Sequence, residues 1–195
     1  MLHRPRRLVF TVAALCLLAA CTPTSPTPTP SPAPSYRCTP EAGGDEFDCS
    51  EAQHDGMVAK DELYAEAEAV YRRFYEENLR ILRLGGVAEP TPVLLATTSG
   101  SYLRDAMDTY AYFRKHQLQI QGEDRAVVLT RLPGKSRQGS VAAMSICVDG
   151  RSVQFLKDGK PDGYGSAAVD ETYFARVDGA LKIIGADGKD VTTCA

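Results

Sequence analysis

The sequence predicts an α+β fold in which helices come first and an antiparallel sheet follows. Apolar side chains over 60–84 recur at steps of three, four and seven residues, which is the spacing of one face of an α-helix. A second helical pattern follows over 99–116. From Leu118 onward the apolar spacing shifts towards two, and Asp-Gly pairs separate the apolar runs. Helices followed by a run of strands are typical of α+β domains.

The first helix is predicted over 60–84. Its apolar stripe consists of residues at helical spacing, namely Leu63, Ala67, Val70, Phe74, Ile81 and Leu84. Tyrosines widen the stripe and charged residues fill the opposite side, which is typical of a helix that packs one face on a core. We therefore interpret the tyrosines as core residues, with a binding surface as the alternative. Gly85 and Gly86 are expected to end the helix.

The second helix is predicted to follow two prolines, Pro90 and Pro92, which interrupt the chain. Ser99 or Ser101 is suited to begin it, because a serine hydroxyl accepts a hydrogen bond from an early helical amide. The pattern ends near His116.

Six strands are predicted after the helices, at 118–121, 126–132, 141–148, 152–156, 169–177 and 180–185. Asp178-Gly179 lies between the last two. It is the strongest hairpin signal in the chain, because this pair adopts the left-handed backbone that a two-residue turn needs. We therefore expect the strands to form an antiparallel meander.

The first 20 residues have the features of a lipoprotein signal peptide. Arg4, Arg6 and Arg7 provide the positive charge, and an apolar run over 8–18 is too short for a permanent membrane span. The run ends in Leu-Ala-Ala-Cys at 18–21, which resembles the bacterial lipobox and implies cleavage before Cys21 and lipidation of its thiol. The alternative is an ordinary secretory signal, and the arginine pair leaves twin-arginine export open. We expect the mature chain to be lipid-anchored at the extracytoplasmic face of the cell membrane.

A linker is predicted at 21–35, between the lipidated cysteine and the folded domain. It has six prolines, at 23, 26, 28, 30, 32 and 34, and almost no apolar side chains. Proline lacks a backbone donor and favours polyproline II, so this segment is expected to be a semi-rigid spacer. The folded domain is then expected at 36–195.

The charge balance argues against a nucleic-acid partner. Removal of residues 1–20 takes away three of the 22 Lys and Arg residues and none of the 25 acids, which leaves a net charge of −6. Proteins that bind nucleic acid usually carry basic patches that neutralise phosphates.

Four cysteines belong to the predicted domain, and outside the cytosol they favour two disulfides. We favour the pair Cys38–Cys49, because it is local, and the pair Cys147–Cys194, because it ties the chain end to a strand. From loop-closure entropy, we expect the first bond to raise the free energy of unfolding by about 3 kcal/mol and the second bond by about 4 kcal/mol. Zinc is the alternative use of four cysteines, but the sequence contains no CxxC, and no metal site is expected.

The element order and several spaced residues resemble a known superfamily. The long first helix, TSGSYL at 98–103 and the later run of strands are similar to nuclear transport factor 2-like domains. More narrowly, SICVD at 145–149, DGK at 158–160 and the terminal Cys194 resemble small exported actinobacterial lipoproteins of that superfamily. The resemblance covers residues 58–195. The chain departs from it at Leu181, where the last hairpin of the family usually carries Trp.

This resemblance implies a curved antiparallel sheet wrapped on the N-terminal helices to form a cone. It does not imply one activity, because the superfamily contains isomerases, dehydratases and hydrolases beside many non-catalytic members. Related cones often dimerise through the open sheet face, so a homodimer is one expected form.

Candidate catalytic residues are few. Asp105 and Asp108 are three residues apart on the second helix and are able to share a face, and His116 lies at its end. General acid–base work uses such groups, but we favour a solvated helix surface as the explanation of the two aspartates and a cation that complements the helix dipole as that of His116. Nucleophile-elbow, zinc-protease, P-loop and dinucleotide motifs are all missing, and no cofactor is expected.

Three functions are compatible with these features. The first is a non-catalytic module that binds a protein or a small ligand outside the cell. The second is a cone-type lyase, isomerase or hydrolase that acts on a small apolar substrate. The third is an accessory subunit of a larger envelope assembly.

Overall fold

A computed structural model describes residues 35–122, 127–137 and 139–194 of the chain. The predicted signal peptide, Cys21 and the proline-rich linker lie outside these residues. The described elements are, in chain order, β1 (Tyr36–Cys38), β2 (Phe47–Cys49), α1 (Glu51–Arg83), α2 (Pro92–Thr97), α3 (Gly100–His116), β3 (Leu118–Gln121), β4 (Val127–Arg131), β5 (Ala142–Asp149), β6 (Gln154–Lys157), β7 (Lys160–Tyr164), β8 (Ala167–Val177) and β9 (Ala180–Val191). The α+β class is therefore confirmed.

Helix α1 begins nine residues before the predicted start at residue 60. Ser50 and Gln53 form a capping box: the Gln53 amide donates to Ser50 Oγ (3.3 Å), and the Ser50 amide donates to Gln53 Oε1 (2.9 Å). This box supplies partners for amides that the start of a helix otherwise leaves unbonded. The early turns are exposed and carry no apolar stripe, which is why periodicity did not reveal them.

Helix α1 ends where the glycine pair predicts. The Gly86 amide donates to the carbonyl of Ile81 (2.9 Å), and Gly86 has a φ of 93°. A Cβ at this position would lie 2.3 Å from the carbonyl oxygen of Tyr110, so only glycine allows α3 to pass this closely. The end of α1 is thereby held against the middle of α3.

The strands form three antiparallel sheets. Their orders are β1-β2, β3-β6-β7 and β4-β5-β8-β9. The predicted Asp178-Gly179 turn joins β8 and β9, with φ values of 51° and 80°. The sequence analysis missed β1, β2 and β7.

The expectation of a simple meander is wrong. Strands β6 and β7 leave the order of the four-stranded sheet and pair with β3, so that β8 rather than β6 lies beside β5. Burial explains the change. Ile120 and Val153 pack with Phe113 of α3 in a second small core that β6 covers.

The main core lies between the helices and one face of the four-stranded sheet, which we call the inner face. Because side chains alternate along a strand, every second residue of β5 and β8 points to it. These inner-face residues are Ala142, Met144, Ile146, Val148, Ala168, Asp170, Thr172 and Phe174. They pack against buried side chains of α1 and α3, including Ile81 and Tyr110.

The opposite face of the same sheet, which we call the outer face, carries several charged side chains. Glu171 and Tyr173 of β8 lie on it, and Lys135 and Arg137 reach over it from the segment that connects β4 and β5. Lys135 pairs with Glu171, and Arg137 pairs with Asp187 of β9.

Both expected disulfides are present. Cys38 and Cys49 join the β1-β2 hairpin across 11 residues, and Cys147 joins the outer face of β5 to Cys194 across 47 residues. Among the described residues, none of the helices has the length and apolar character that a membrane span requires.

Candidate functional site

The three catalytic candidates from the sequence do not form one site. Asp105 and Asp108 are exposed on α3, and only Asp105 borders a cleft. His116 is half-buried at the end of α3, where its ring centroid lies 4.3 Å from that of Tyr112. These placements agree with the surface interpretation of Asp108 and the helix-end interpretation of His116.

A cleft of about 480 Å³ opens between α1, α3 and the inner face of the sheet. Small-molecule sites are commonly concave spaces of this size with aromatic walls and a few polar groups. The residues that line the cleft are Tyr71, Phe74, Tyr75, Asn78, Tyr102, Asp105, Ala106, Thr109, Val148, Asp170 and Ala186.

Aromatic rings from the two helices form one wall of the cleft. Tyr71, Phe74 and Tyr75 lie on one face of α1 because they are three and four residues apart. Tyr71 and Tyr75 stack with centroids 5.8 Å apart, and Phe74 meets Tyr102 of α3 edge-on at 5.2 Å. The sequence analysis assigned the α1 tyrosines to the core. The structure shows that they are core residues that also line a cavity.

Asp170 of β8 is the charged group that the inner face holds in this cleft. It lies opposite Ile146 of β5 and Gly188 of β9, and a Cβ on Gly188 would come within 2.2 Å of the Asp170 carboxylate. Glycine at 188 therefore makes room for the acid. Within the described part of the chain, the half-buried carboxylate has no hydrogen bond or ion pair, and burial raises its pKa.

Hydroxyl and amide groups also line this cleft. The Tyr75 hydroxyl is buried and has no hydrogen-bond partner among the described residues. The Tyr110 hydroxyl donates to Asn78 Oδ1 (2.9 Å), which leaves the Asn78 NH₂ group as the donor that this side chain offers to the cleft. Burial, and then the nearby charge of Asp170, raises the pKa of Tyr102. Tyr102 is therefore a neutral phenol at ordinary pH.

An adjoining apolar space of about 350 Å³ extends the cleft along α3. The two spaces share Tyr75, Asn78, Thr109 and Val148. Phe113 and Phe155 of the second core border the extension. The combined space therefore has a polar end at Asp170 and an apolar extension that leads away from it.

A smaller space of about 240 Å³ lies between the N-terminal hairpin and the start of α1. Its charged groups are paired within the protein: Lys60 with Glu41, and Asp61 with Arg131. The Tyr64 hydroxyl also donates to Glu41 (3.1 Å), and burial raises the pKa of Tyr64 to about 12. Because these charged groups are already paired with one another, they are not available to bind a ligand.

Asp170 is not among the candidate residues predicted from the sequence. The signal was present in the period-two pattern, because the positions that place Thr172 and Phe174 inward also place residue 170 inward. An acid at a core-facing strand position is unusual and points to a site. No cluster of three or more metal-ligating side chains occurs among the described residues.

Comparison of the chain with known protein families, curated proteins and solved structures finds no significant match.

Proposed function

We propose that the mature protein is a lipid-anchored binding module on the extracytoplasmic face of the cell membrane, and that it holds a small ligand in the cleft beside Asp170. The observation that supports the ligand site is a half-buried carboxylate that lies in an aromatic cleft and has no partner among the described residues. Such a group does not stabilise the fold, because the desolvation of an unpaired charge costs free energy on folding. Its presence is explained by a ligand that supplies the missing partner.

We also propose that the fold is a nuclear transport factor 2-like cone. Two features support this: α1 and α3 pack against the inner face of a four-stranded antiparallel sheet, and a cleft opens between the helices and that face.

Ligand binding in the cleft is tested by a substitution that places a larger side chain in it. Ala106 of α3 lines the cleft, whereas Ala111 of the same helix is exposed. We expect fragments found by ligand-observed NMR on the full chain to lose binding by about tenfold or more in Ala106→Leu, because the added methyl groups occupy their space. Ala111→Leu is the matched control and should bind as wild type does. A fragment set that binds both variants equally would place the ligand elsewhere, and melting temperatures confirm that each variant is folded.

The anchor is tested by labelling cells with a clickable fatty acid. We expect label on the wild-type chain and none on Cys21→Ala, because the thiol at residue 21 is the proposed attachment point. Cys16→Ala, within the proposed signal peptide, is the matched control and should keep its label. Label on the Cys21→Ala variant would exclude this anchor.

A second candidate function is a cone-type lyase, isomerase or hydrolase. The observation that favours it is the raised pKa of Asp170 next to the neutral phenol of Tyr102, since a general acid or base works best with a pKa shifted towards neutrality. Turnover of ester, epoxide or ketosteroid substrates that is lost in Asp170→Asn would establish this function in place of simple binding. Turnover unaffected by that change would exclude Asp170 as the catalytic group.

A further inference from the structure

Among the described residues, the charge of the cleft has one sign. The two charged side chains that the described part of the chain contributes to its lining are carboxylates: Asp170 is half-buried on the inner face, and Asp105 is exposed on α3. The other described residues that line the cleft are neutral. These two carboxylates repel an anion and attract a cation.

Other buried acids of this protein have a cation of their own. The Glu77 carboxylate receives two hydrogen bonds from the Arg80 guanidinium, both 2.7 Å. The Asp149 carboxylate receives bonds of 2.8 and 2.6 Å from Arg151. Asp170 has no such partner in the part of the chain that the structure describes, although it is half-buried. Among the described residues, Asp170 therefore lacks the cation that Glu77 and Asp149 each have.

The wall beside Asp170 is suited to a cation of a particular kind. Aromatic rings attract ammonium groups through their negative faces, and four rings line this cleft. The adjoining apolar space near Phe113 and Phe155 accommodates hydrocarbon. The buried Tyr75 hydroxyl, which has no partner among the described residues, offers an acceptor for an N–H group.

We propose that the ligand of this cleft is a small organic ammonium ion with an apolar body, its nitrogen paired with Asp170 and its hydrocarbon directed towards the second core. This inference rests on the proposed ligand-binding function and names the class of ligand. A bare metal cation fits less well, because a hard cation requires six or more oxygen ligands or a tight cluster of side chains. No such cluster occurs among the described residues.

Three soluble probes of nearly equal size test the charge preference: phenethylamine, which is cationic at neutral pH, neutral 2-phenylethanol and anionic phenylacetate. Binding is measured by calorimetric titration of the full chain in nonionic detergent. We expect the amine to bind about tenfold or more tighter than the alcohol, and phenylacetate to bind weakest. In Asp170→Asn the preference for the amine over the alcohol should fall to within about twofold, while the affinity for the alcohol is retained.

The control variant is Asp108→Asn, on the same helix as Asp105 but outside the cleft. It changes the net charge of the protein by the same amount and should keep the preference for the amine. Melting temperatures of both variants show that they are folded.

The outcomes separate this inference from the proposed function. Equal binding of the amine and the alcohol, or a preference that survives Asp170→Asn, would overturn the ammonium ligand and leave a neutral-ligand cleft. Tightest binding of phenylacetate would overturn it as well. Failure of all three probes to bind would count against both the ligand class and the cleft as a binding site.

Discussion

Asp170 and Glu171 are neighbours on β8, yet they lie in opposite electrostatic environments. Asp170 points to the inner face, has no partner among the described residues, and has a pKa raised by burial. Glu171 points to the outer face, where Lys135 donates two hydrogen bonds of 3.0 and 2.9 Å and Tyr173 donates a third of 3.1 Å. The Lys135 bond, and then that of Tyr173, lowers the pKa of Glu171.

The difference comes from the period of the strand. Successive side chains of a β-strand point to opposite faces, so one peptide unit separates the cleft on the inner face from the outer face. On the outer face the acid is neutralised by the fold itself. On the inner face none of the described residues neutralises Asp170, and this contrast is the reason why our proposal centres on Asp170 rather than on the acids of the surface.

The largest effect is expected from the covalent bond on the outer face. Replacement of both Cys147 and Cys194 by serine should lower the free energy of unfolding by about 4 kcal/mol, because the bond removes loop entropy from the unfolded chain. Urea denaturation of the variant measures this loss. The double serine variant at Cys38 and Cys49, whose loop is shorter, is the comparison and should lose about 3 kcal/mol. A larger loss at the short loop would show that loop entropy is not the main contribution.

The next effect tests whether packing is confined to the inner face. Ile146→Ala should cost about 3 kcal/mol, because Ile146 is fully buried in the main core and its removal leaves a cavity. Val128→Ala, on the other face of the neighbouring strand and 41% exposed, should cost about 0.5 kcal/mol. Equal losses in denaturation midpoints would contradict the assignment of the two faces.

The smallest expected effect is the contribution of Asp170 and Glu171 to the pH dependence of the melting temperature. Asp170→Asn should raise the melting temperature at neutral pH by a few degrees, because it removes a half-buried charge that has no partner among the described residues. A raised folded-state pKa means that the charged form destabilises the fold. The increase in melting temperature of Asp170→Asn should therefore be complete above the folded-state pKa of Asp170, and it should disappear as the pH falls below the ordinary aspartate value of 3.8.

Glu171→Gln should show the opposite sign. The lowered pKa of Glu171 means that its ionised form stabilises the fold above the ordinary value of 4.5, and that this contribution is lost as the pH falls through the folded-state pKa. The glutamine variant should therefore melt slightly lower than wild type at neutral pH and equally at low pH. Thermal melts of both variants from low to neutral pH measure these changes in melting temperature. A change of the same sign in both variants would contradict the contrast between the two acids.

Several elements could be predicted because their signals are local. Helix α3 ends at His116, as its pattern indicates, and the Asp178-Gly179 pair forms the expected turn. Both depend on the periodicity or backbone preference of a few adjacent residues. The early turns of α1 were missed because they have no apolar stripe, although the Ser50–Gln53 capping box was readable.

Other elements depend on partners that are distant in the chain. The end of β9, near Asp187 and Lys189, is polar and exposed, and it is a strand because β8 pairs with it. Strand β7 is exposed at every position and is held by pairing with β6. Neither has the alternating pattern that reveals a strand from sequence.

The sequence by itself determined the α+β class and the second helix, because periodicity and turn chemistry are properties of short segments. It also determined the two disulfide pairs, because these follow from the number and the positions of the cysteines. Only the tertiary structure decided that β6 and β7 join β3 and that Asp170 lacks a cation in the part of the chain that is described. The physical reason is that the free energy of a charge depends on what surrounds it in space. The cleft beside Asp170 is made by residues from two helices and three strands, up to 115 positions apart in the chain.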